Sequence, residues 1–299
     1  MIYQKNFQSW ASPSKAHISC CHYKSDANGS FPMHCHMYYE ISYIISGRRY
    51  EFFNGMNYEV SEGSLFFIPP LTVHANKNIT AVEDIVVQFS PDFICSVSEL
   101  LKPDMIISLA NNQQPYLNVN QLPHFKELFD QLKENSDNYF KELSENNYIA
   151  VNANTVAMLE WQRNGMVFLL LSLLLQTKYL RISTEHINYS KLLQLDKVTN
   201  YILTHPAEKI SMDEAARMMG MSYYHFSRFF KETTGFNFPE YCNLLRIHYA
   251  EELLLKTEQS IADIAMAIGI DTPSYFTRIF KKINGNSPAA YRLQWKTQK

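Results

Sequence analysis

The hydrophobic positions of this chain follow one period in its first third and another in the rest. Between residues 16 and 88 they fall in short β-branched and aromatic runs separated by turn residues: Tyr39–Ser46, Arg48–Phe53, 56–60, 65–68 and 85–89. Runs of this length bounded by turns predict strands. Asn54-Gly55, between two of them, is a two-residue hairpin signal. The predicted product is a small antiparallel barrel or double-sheet jelly roll. In 122–133 the period changes: Leu122, Phe125, Leu128, Phe129 and Leu132 form one helical stripe. Residues 156–180 predict a second, more apolar helix. The Asn- and Glu-rich stretch 135–154 reads as a further helix or a long loop, and the short polar stretch 181–190 as a domain boundary.

In the last hundred residues the period stays helical and one pattern occurs twice, about fifty residues apart. Ser211-x-x-Glu214 and Ser260-x-x-Asp263 are N-cap signals: the serine oxygen accepts a backbone N–H of the first turn, and the acid favours the positive end of the helix dipole. Gly220 and Gly269 follow where a helix must end in a left-handed conformation, which costs little without a Cβ. A tight turn and a second helix come next, with Phe226, Phe229 and Phe230 on the apolar stripe of the first copy. Phe276, Ile279, Phe280 and Ile283 form that stripe in the second. Each copy is therefore a helix-turn-helix.

The opposite face of the second helix carries Tyr224, Ser227, Arg228 and Lys231 in the first copy, and Ser274, Thr277, Arg278 and Lys281 in the second. Arginine can donate two hydrogen bonds to guanine O6 and N7, Ser and Thr can bond base edges, and a threonine methyl can touch the thymine methyl. These eight residues are the candidate contacts to a double-stranded DNA operator. Any amphipathic helix has a polar face, so the weight lies on two copies in register. Between them, residues 239–255 read as one connecting helix. Seventeen residues at ~1.5 Å each make a rod of roughly 25 Å, suited to holding two recognition helices in successive major grooves ~34 Å apart.

The stretch from Leu192 to Arg292 resembles the AraC/XylS family of transcription regulators. Its signature runs Ser260-Ile261-x2-Ile264-Ala265-x3-Gly269, then Ser274-Tyr275-Phe276-x3-Phe280-Lys281, Gly285, Pro288 and Tyr291-Arg292. One departure is Gly269-Ile270-Asp271-Thr272-Pro273, where the family has Gly-Phe followed by polar residues. Pro273 is tolerated in a first helical turn but removes a polar base contact there. The resemblance implies an activator of transcription that contacts RNA polymerase. It also implies that the helices between barrel and DNA-binding unit pair two subunits in a homodimer; packing against the chain's own barrel is the other reading of their apolar stripes.

Within the strand-rich part, His34-x-His36-x3-Glu40-x6-Gly47 is followed by Gly63-x5-Pro69 and His74. This resembles both motifs of the cupin superfamily, whose barrels often hold a metal on three histidines and a glutamate. Leu71 stands where the second motif commonly has glycine. Alternation along a strand places His34, His36 and Glu40 on one face, and a neighbouring strand could bring His74 opposite. Imidazole and carboxylate suit a divalent transition metal. Buried His and Glu can equally satisfy each other by hydrogen bonding, or bind a ligand. Trp10, Phe31, Tyr38, Tyr43, Phe52 and Phe67 are candidate lining for a small organic effector, a sugar being the commonest in the family, or are simply core.

Composition changes this picture little. The 299 residues allow about two domains and carry a formal charge of −2. From Lys191 onward there are 14 Lys and Arg against 11 Asp and Glu, net +3, which leaves −5 for the remainder. That asymmetry has the sign phosphate contacts need. Five cysteines without paired metal spacing, no apolar leader and no apolar run long enough to span a bilayer predict a cytoplasmic protein without a membrane partner.

The expected fold is mixed: a cupin-like β-barrel or jelly roll plus helices, then an all-α domain with two helix-turn-helix units. The expected division is a cupin-like effector-sensing domain at 1–115, a helical dimerisation region at 116–180, a linker at 181–190 and a DNA-binding domain at 191–299. The expected function is sequence-specific regulation of transcription under a small-molecule effector, without enzymatic activity. Two alternatives stay open: a metal-dependent cupin enzyme or metal sensor fused to a DNA-binding domain, and a constitutive regulator whose barrel only dimerises.

Overall fold

The computed structural model describes residues 18–27, 29–34, 36–53, 56–95, 106–110, 114–145, 152–183, 189–205 and 207–296. Eight strands open the chain: β1 (Ile18–Ser25), β2 (Ser30–His34), β3 (Tyr39–Ser46), β4 (Arg48–Phe53), β5 (Met56–Ser61), β6 (Ser64–Ile68), β7 (His74–Asn78) and β8 (Val82–Phe89). A short α1 (Pro91–Cys95), β9 (Ile106–Leu109), β10 (Tyr116–Asn118), α2 (Pro123–Glu145), α3 (Ala153–Gln176) and β11 (Leu180–Ser183) follow. The strands form two facing antiparallel sheets, ordered β1-β8-β3-β6-β10 and β2-β7-β4-β5, with β11 and β9 paired separately. This is the expected jelly roll. Phe53 pairs with Met56 across the β4–β5 hairpin. The connection is thus the two residues Asn54 and Gly55, which lie outside the described set.

Strand alternation assigns each face a different neighbour. On β3, Tyr39, Ile41 and Tyr43 point to α2 and α3, and Tyr43 stacks on Phe129 with ring centroids 4.0 Å apart. Ile44 on the other face joins Phe53, Val60, Phe66, Ile68 and Val82 in a core between the sheets. On the far side, Phe52 of β4 and Ala75 of β7 turn outward and pack, with Leu71 and Val73, against the helical C-terminal part. The order of layers is helices, five-stranded sheet, four-stranded sheet, C-terminal domain.

Three expectations change here. The helix predicted over 122–133 continues to Glu145 because Asn135 and Ser136, polar in sequence, are buried and bonded: Asn135 donates to the Leu159 carbonyl and Ser136 to that of Cys20, each at 3.0 Å. α2 and α3 also share one core with the five-stranded sheet, so the division at 115/116 does not separate two cores. Within 181–190, residues up to Ser183 complete β11, which pairs with β9; 184–188 lie outside the described residues.

The C-terminal domain is all helix: α4 (Tyr189–Thr204), α5 (Met212–Met218), α6 (Tyr223–Thr234), α7 (Phe238–Lys256), α8 (Ile261–Ala267), α9 (Pro273–Asn284) and α10 (Pro288–Lys296). Ser211 and Ser260 each close a complete capping box with Glu214 and Asp263. Gly220 and Gly269 take the left-handed conformation, at φ 62° and 72°. No helix among the described residues is long and apolar enough to cross a membrane.

Candidate DNA interface and barrel site

α5 and α6 form one helix-turn-helix, α8 and α9 the other, and α7 connects them. The connecting helix has 19 residues, two more than predicted, which makes it ~28 Å long at ~1.5 Å per residue. Phe226 and Phe230 of α6 are fully buried in the core that α7 shares with α4 and α5. Phe276 and Phe280 of α9 occupy the same places in a second core, with Ile247, Ala250 and Leu254 from the other end of α7. Burying four phenylalanines at equivalent positions fixes which face each helix turns outward.

That face carries the eight residues singled out in the sequence. Tyr224 is 84% exposed, Arg228 and Lys231 are exposed and Ser227 half-buried. Ser274, Arg278 and Lys281 are exposed and Thr277 half-buried. The copies differ at their start: Ser222 caps α6 by accepting from His225 N, whereas α9 begins with Pro273 behind Thr272, which makes no side-chain cap bond. The guanidinium of Arg278 lies over the Tyr275 ring, 5.2 Å from its centroid.

The units are also tied to each other. A Cβ on Gly269 would stand 2.5 Å from the carbonyl oxygen of Ala207, in the loop before α5. Lys209 of that loop pairs with Asp271 in the second turn, and Arg246 of α7 donates to the Glu208 carbonyl at 2.8 Å. Around Gly220 the equivalent space is open.

In the barrel, the structure brings together three of the four cupin-type residues. Ligand atoms of His36, Glu40 and His74 all lie within 4.8 Å of one another. His36 Nε2 is 3.0 Å from Glu40 Oε2, which also accepts from Gln88 Nε2 at 2.8 Å; His74 Nε2 is 3.9 Å from Glu40 Oε1. The route differs from the expected one. β2 ends at His34 and the chain bends through 36–38 before β3, so His36 reaches Glu40 from a turn and not along one strand. His34 pairs with His74 in the backbone register, and its side chain lies outside the described set.

The set fits a metal. His36 Nδ1 is 3.0 Å from the Tyr38 carbonyl and His74 Nδ1 2.9 Å from the Thr72 carbonyl. A ring N–H donated there leaves each Nε2 lone pair directed at the shared centre, the outer-sphere arrangement that metal-ligating histidines need. Burial pushes the His74 pKa down to about 4, opposed by Glu40, so its ring is neutral at pH 7. The sequence held no signal for those two backbone acceptors.

A second polar cluster escaped sequence reading. Arg49 of β4 crosses between the sheets to Asp84 of β8 at 2.5 Å and Ser42 of β3 at 2.6 Å, and pairs with Glu51 at 2.5 Å. All four are buried. Burial, with Asp84 nearby and despite Arg49, pushes the Glu51 carboxyl up to about 7. The even spacing of Arg49 and Glu51 could have marked one strand face; Asp84 depends on how the two sheets pack face to face. Of the aromatics considered as effector lining, Tyr43 and Phe67 instead sit in the core shared with α2 and α3, and Phe52 faces the C-terminal domain. Trp10 lies outside the described residues.

Two family models match the chain: one described as an AraC-like ligand binding domain over residues 17–147, the other as a helix-turn-helix domain over 215–294. The bifunctional transcriptional activator/DNA repair enzyme AdaA of Bacillus subtilis is 36% identical over 104 residues, 35% of this chain and 49% of that protein. The transcriptional activator RhaR of Pectobacterium atrosepticum is 23% identical over 272 residues, 89% of this chain and 87% of that one. The solved DNA-binding domain of AdpA, in complex with a target DNA, matches at 27% identity and a TM-score of 0.35, covering 36% of this chain and 96% of that one. The chain spans a third to a half of the length of several relatives with 34–36% identity.

Proposed function

The chain belongs to the AraC family of DNA-binding transcription regulators with a ligand-binding domain, and on that premise we propose that it is an effector-controlled activator acting as a homodimer. The observation that carries the reading is the pair of exposed polar faces on α6 and α9, held by buried phenylalanines at the two ends of one helix. In this reading Tyr224, Ser227, Arg228 and Lys231 contact one major groove and Ser274, Thr277, Arg278 and Lys281 the next. The family assignment favours regulation over enzymatic activity. RNA polymerase is the further partner of an activator.

In this reading the effector enters between the sheets, where a polar small molecule such as a sugar would exchange bonds with Arg49, Glu51, Asp84 and Ser42, which are bonded to one another in its absence. A divalent transition metal on His36, Glu40 and His74 is a second reading, favoured by the two backbone carbonyls facing Nδ1. Such an ion would supply Lewis acidity and a polar ligand's anchoring point. β7 carries the consequence outward: His74 points between the sheets, while Val73 and Ala75 beside it pack on the DNA-binding core. Occupancy would then shift the population of DNA-competent arrangements. The second subunit is assigned to the outer face of α3, where Trp161 is 75% and Leu169 52% exposed.

Selection of duplexes from a random pool by the full-length chain tests the central reading. The expected result is an operator with two half-sites about one helical turn apart; enrichment of no sequence would overturn it. Trp161→Glu should convert a dimer to a monomer in sedimentation analysis, and an unchanged mass would remove α3 from the interface.

A further inference from the structure

On α9, Tyr275 and Arg278 stand three residues apart, which makes them neighbours on the helix surface. The guanidinium of Arg278 lies over the Tyr275 ring, 5.2 Å from its centroid. The ring is anchored in turn: Asn243 of α7 donates a side-chain N–H to the Tyr275 hydroxyl at 3.4 Å. Both members of the pair are exposed, and among the described residues Arg278 forms no ion pair. One path of contacts therefore runs from the helix that connects the two heads, through an aromatic ring, to the arginine in the middle of the second polar face.

The first copy has no such path. With Phe226 equivalent to Phe276, His225 stands in the place of Tyr275 and Arg228 in that of Arg278. Among the described residues Arg228 lies over no ring. α9 also starts with Pro273 where α6 has Tyr223, so the second helix lacks a polar side chain at its leading end and has fewer groups to share the readout with Arg278.

We propose that Tyr275 sets the base specificity of the second head by holding Arg278 in place before DNA arrives. The proposal rests on the reading of α9 as a DNA-reading helix with Arg278 as a base contact. A free arginine side chain gives up much of its rotamer freedom when it donates to a base edge, and one already restricted gives up less. A guanidinium that meets a ring through its face keeps its N–H edge for two parallel hydrogen bonds, as guanine O6 and N7 require. Restriction also penalises the wrong base, because an arginine that does not swing aside is left with unpaired donors. Tyr275 acts through Arg278 and is a positioning residue.

The test compares full-length variants on the duplex selected by the wild-type chain and on duplexes changed at single base pairs of the second half-site. Arg278→Ala should flatten the preference at one base pair. Tyr275→Leu and Tyr275→Gln, which remove the ring, should each lower discrimination at that same base pair by about two- to fivefold, the worth of an exposed cation–π contact. Tyr275→Phe keeps the ring and should stay within about twofold of wild type. In an Arg278→Ala background Tyr275→Leu should change nothing further, whereas a merely structural role would persist there. Undiminished discrimination in the ringless variants, or a loss of equal size in the Arg278→Ala background, would overturn the proposal; should one ringless variant not fold, the other decides. A wild-type preference in Arg278→Ala would overturn Arg278 as a base contact, and a chain that selects no duplex would overturn α9 as a reading helix. The positioning role falls with either.

Discussion

The backbone amide of Leu71 donates to the carbonyl of His36 at 2.7 Å. One bond thus joins the loop that bears a candidate metal ligand to a residue buried in the core of the DNA-binding domain. Leu71 holds φ at 61°, in the left-handed region, where glycine is the usual occupant. The conformation costs ~1–2 kcal/mol. Full burial of the leucine side chain against the C-terminal domain returns roughly 1.5–3 kcal/mol, which accounts for a leucine at a position where the motif commonly has glycine.

Leu71→Ala loses the packing and keeps the strained backbone, and should destabilise the chain by about 2–4 kcal/mol in urea unfolding. Leu71→Gly loses the same packing and relieves the backbone. It should be more stable than the alanine variant by about 1 kcal/mol. Equal stabilities would mean that the left-handed conformation carries no cost at this position.

The two turn glycines should differ although they are equivalent in sequence. Gly220→Ala meets open space and should cost about 1–2 kcal/mol for its left-handed conformation alone. Gly269→Ala adds a Cβ 2.5 Å from the Ala207 carbonyl, a backbone atom that must move. Thermal denaturation should place the second variant clearly below the first, and the reverse order would mean the 207–209 loop yields freely.

Arg228→Ala should weaken binding to the selected operator by ~1–3 kcal/mol and relax base preference in one half-site. Lys281→Ala should weaken specific and random duplexes alike and lower the salt slope by about 1. Titrations against both duplexes at several salt concentrations separate these roles. Equal losses on both duplexes for Arg228→Ala would remove it from base readout.

Glu51 should impose a pH dependence on barrel stability. Its folded pKa of about 7 lies above its ordinary value of 4.5, so the folded state holds a proton that the unfolded state releases. The contribution is full below about pH 4.5 and lost as pH rises through about 7. Glu51→Gln has no proton to release. Wild type should therefore lose stability relative to this variant between pH 4.5 and 7, by on the order of 2 kcal/mol. Parallel curves from urea unfolding would show that Glu51 is ionised throughout.

Metal analysis of chain purified without a chelator decides the second reading of the barrel. About one transition metal per chain is expected if His36, Glu40 and His74 form a site, and His74→Ala should lose it. Metal-free wild type would leave the three as structural or ligand-binding groups.

Sequence carried the C-terminal domain almost whole because its signals are local. Caps, turn glycines and phenylalanine spacing all act within one or two helical turns, and Ser211, Gly220 and Phe226 read the same in isolation as in the fold. The barrel was legible as strands but not as surfaces. Alternation separates the two faces of β3 and β4, yet both faces are covered, and it does not say by what. Tyr43 and Phe67 therefore looked like effector lining while they face α2 and α3. The Arg49–Asp84 contact joins strands of different sheets, 35 positions apart, and only the packing of one sheet on the other reveals it.

α7 carries both reading heads without a joint between them, one core at each end. Rotation and separation of the heads are consequently one variable. Each residue added to or removed from the middle of α7 moves the far head by ~1.5 Å and swings it by about 100° around the axis. An altered half-site spacing could not be followed by a one-residue change in the protein; it would call for a bend in the DNA or a whole helical turn of new sequence. Operator spacing is therefore expected to diverge more slowly than the bases that α6 and α9 face.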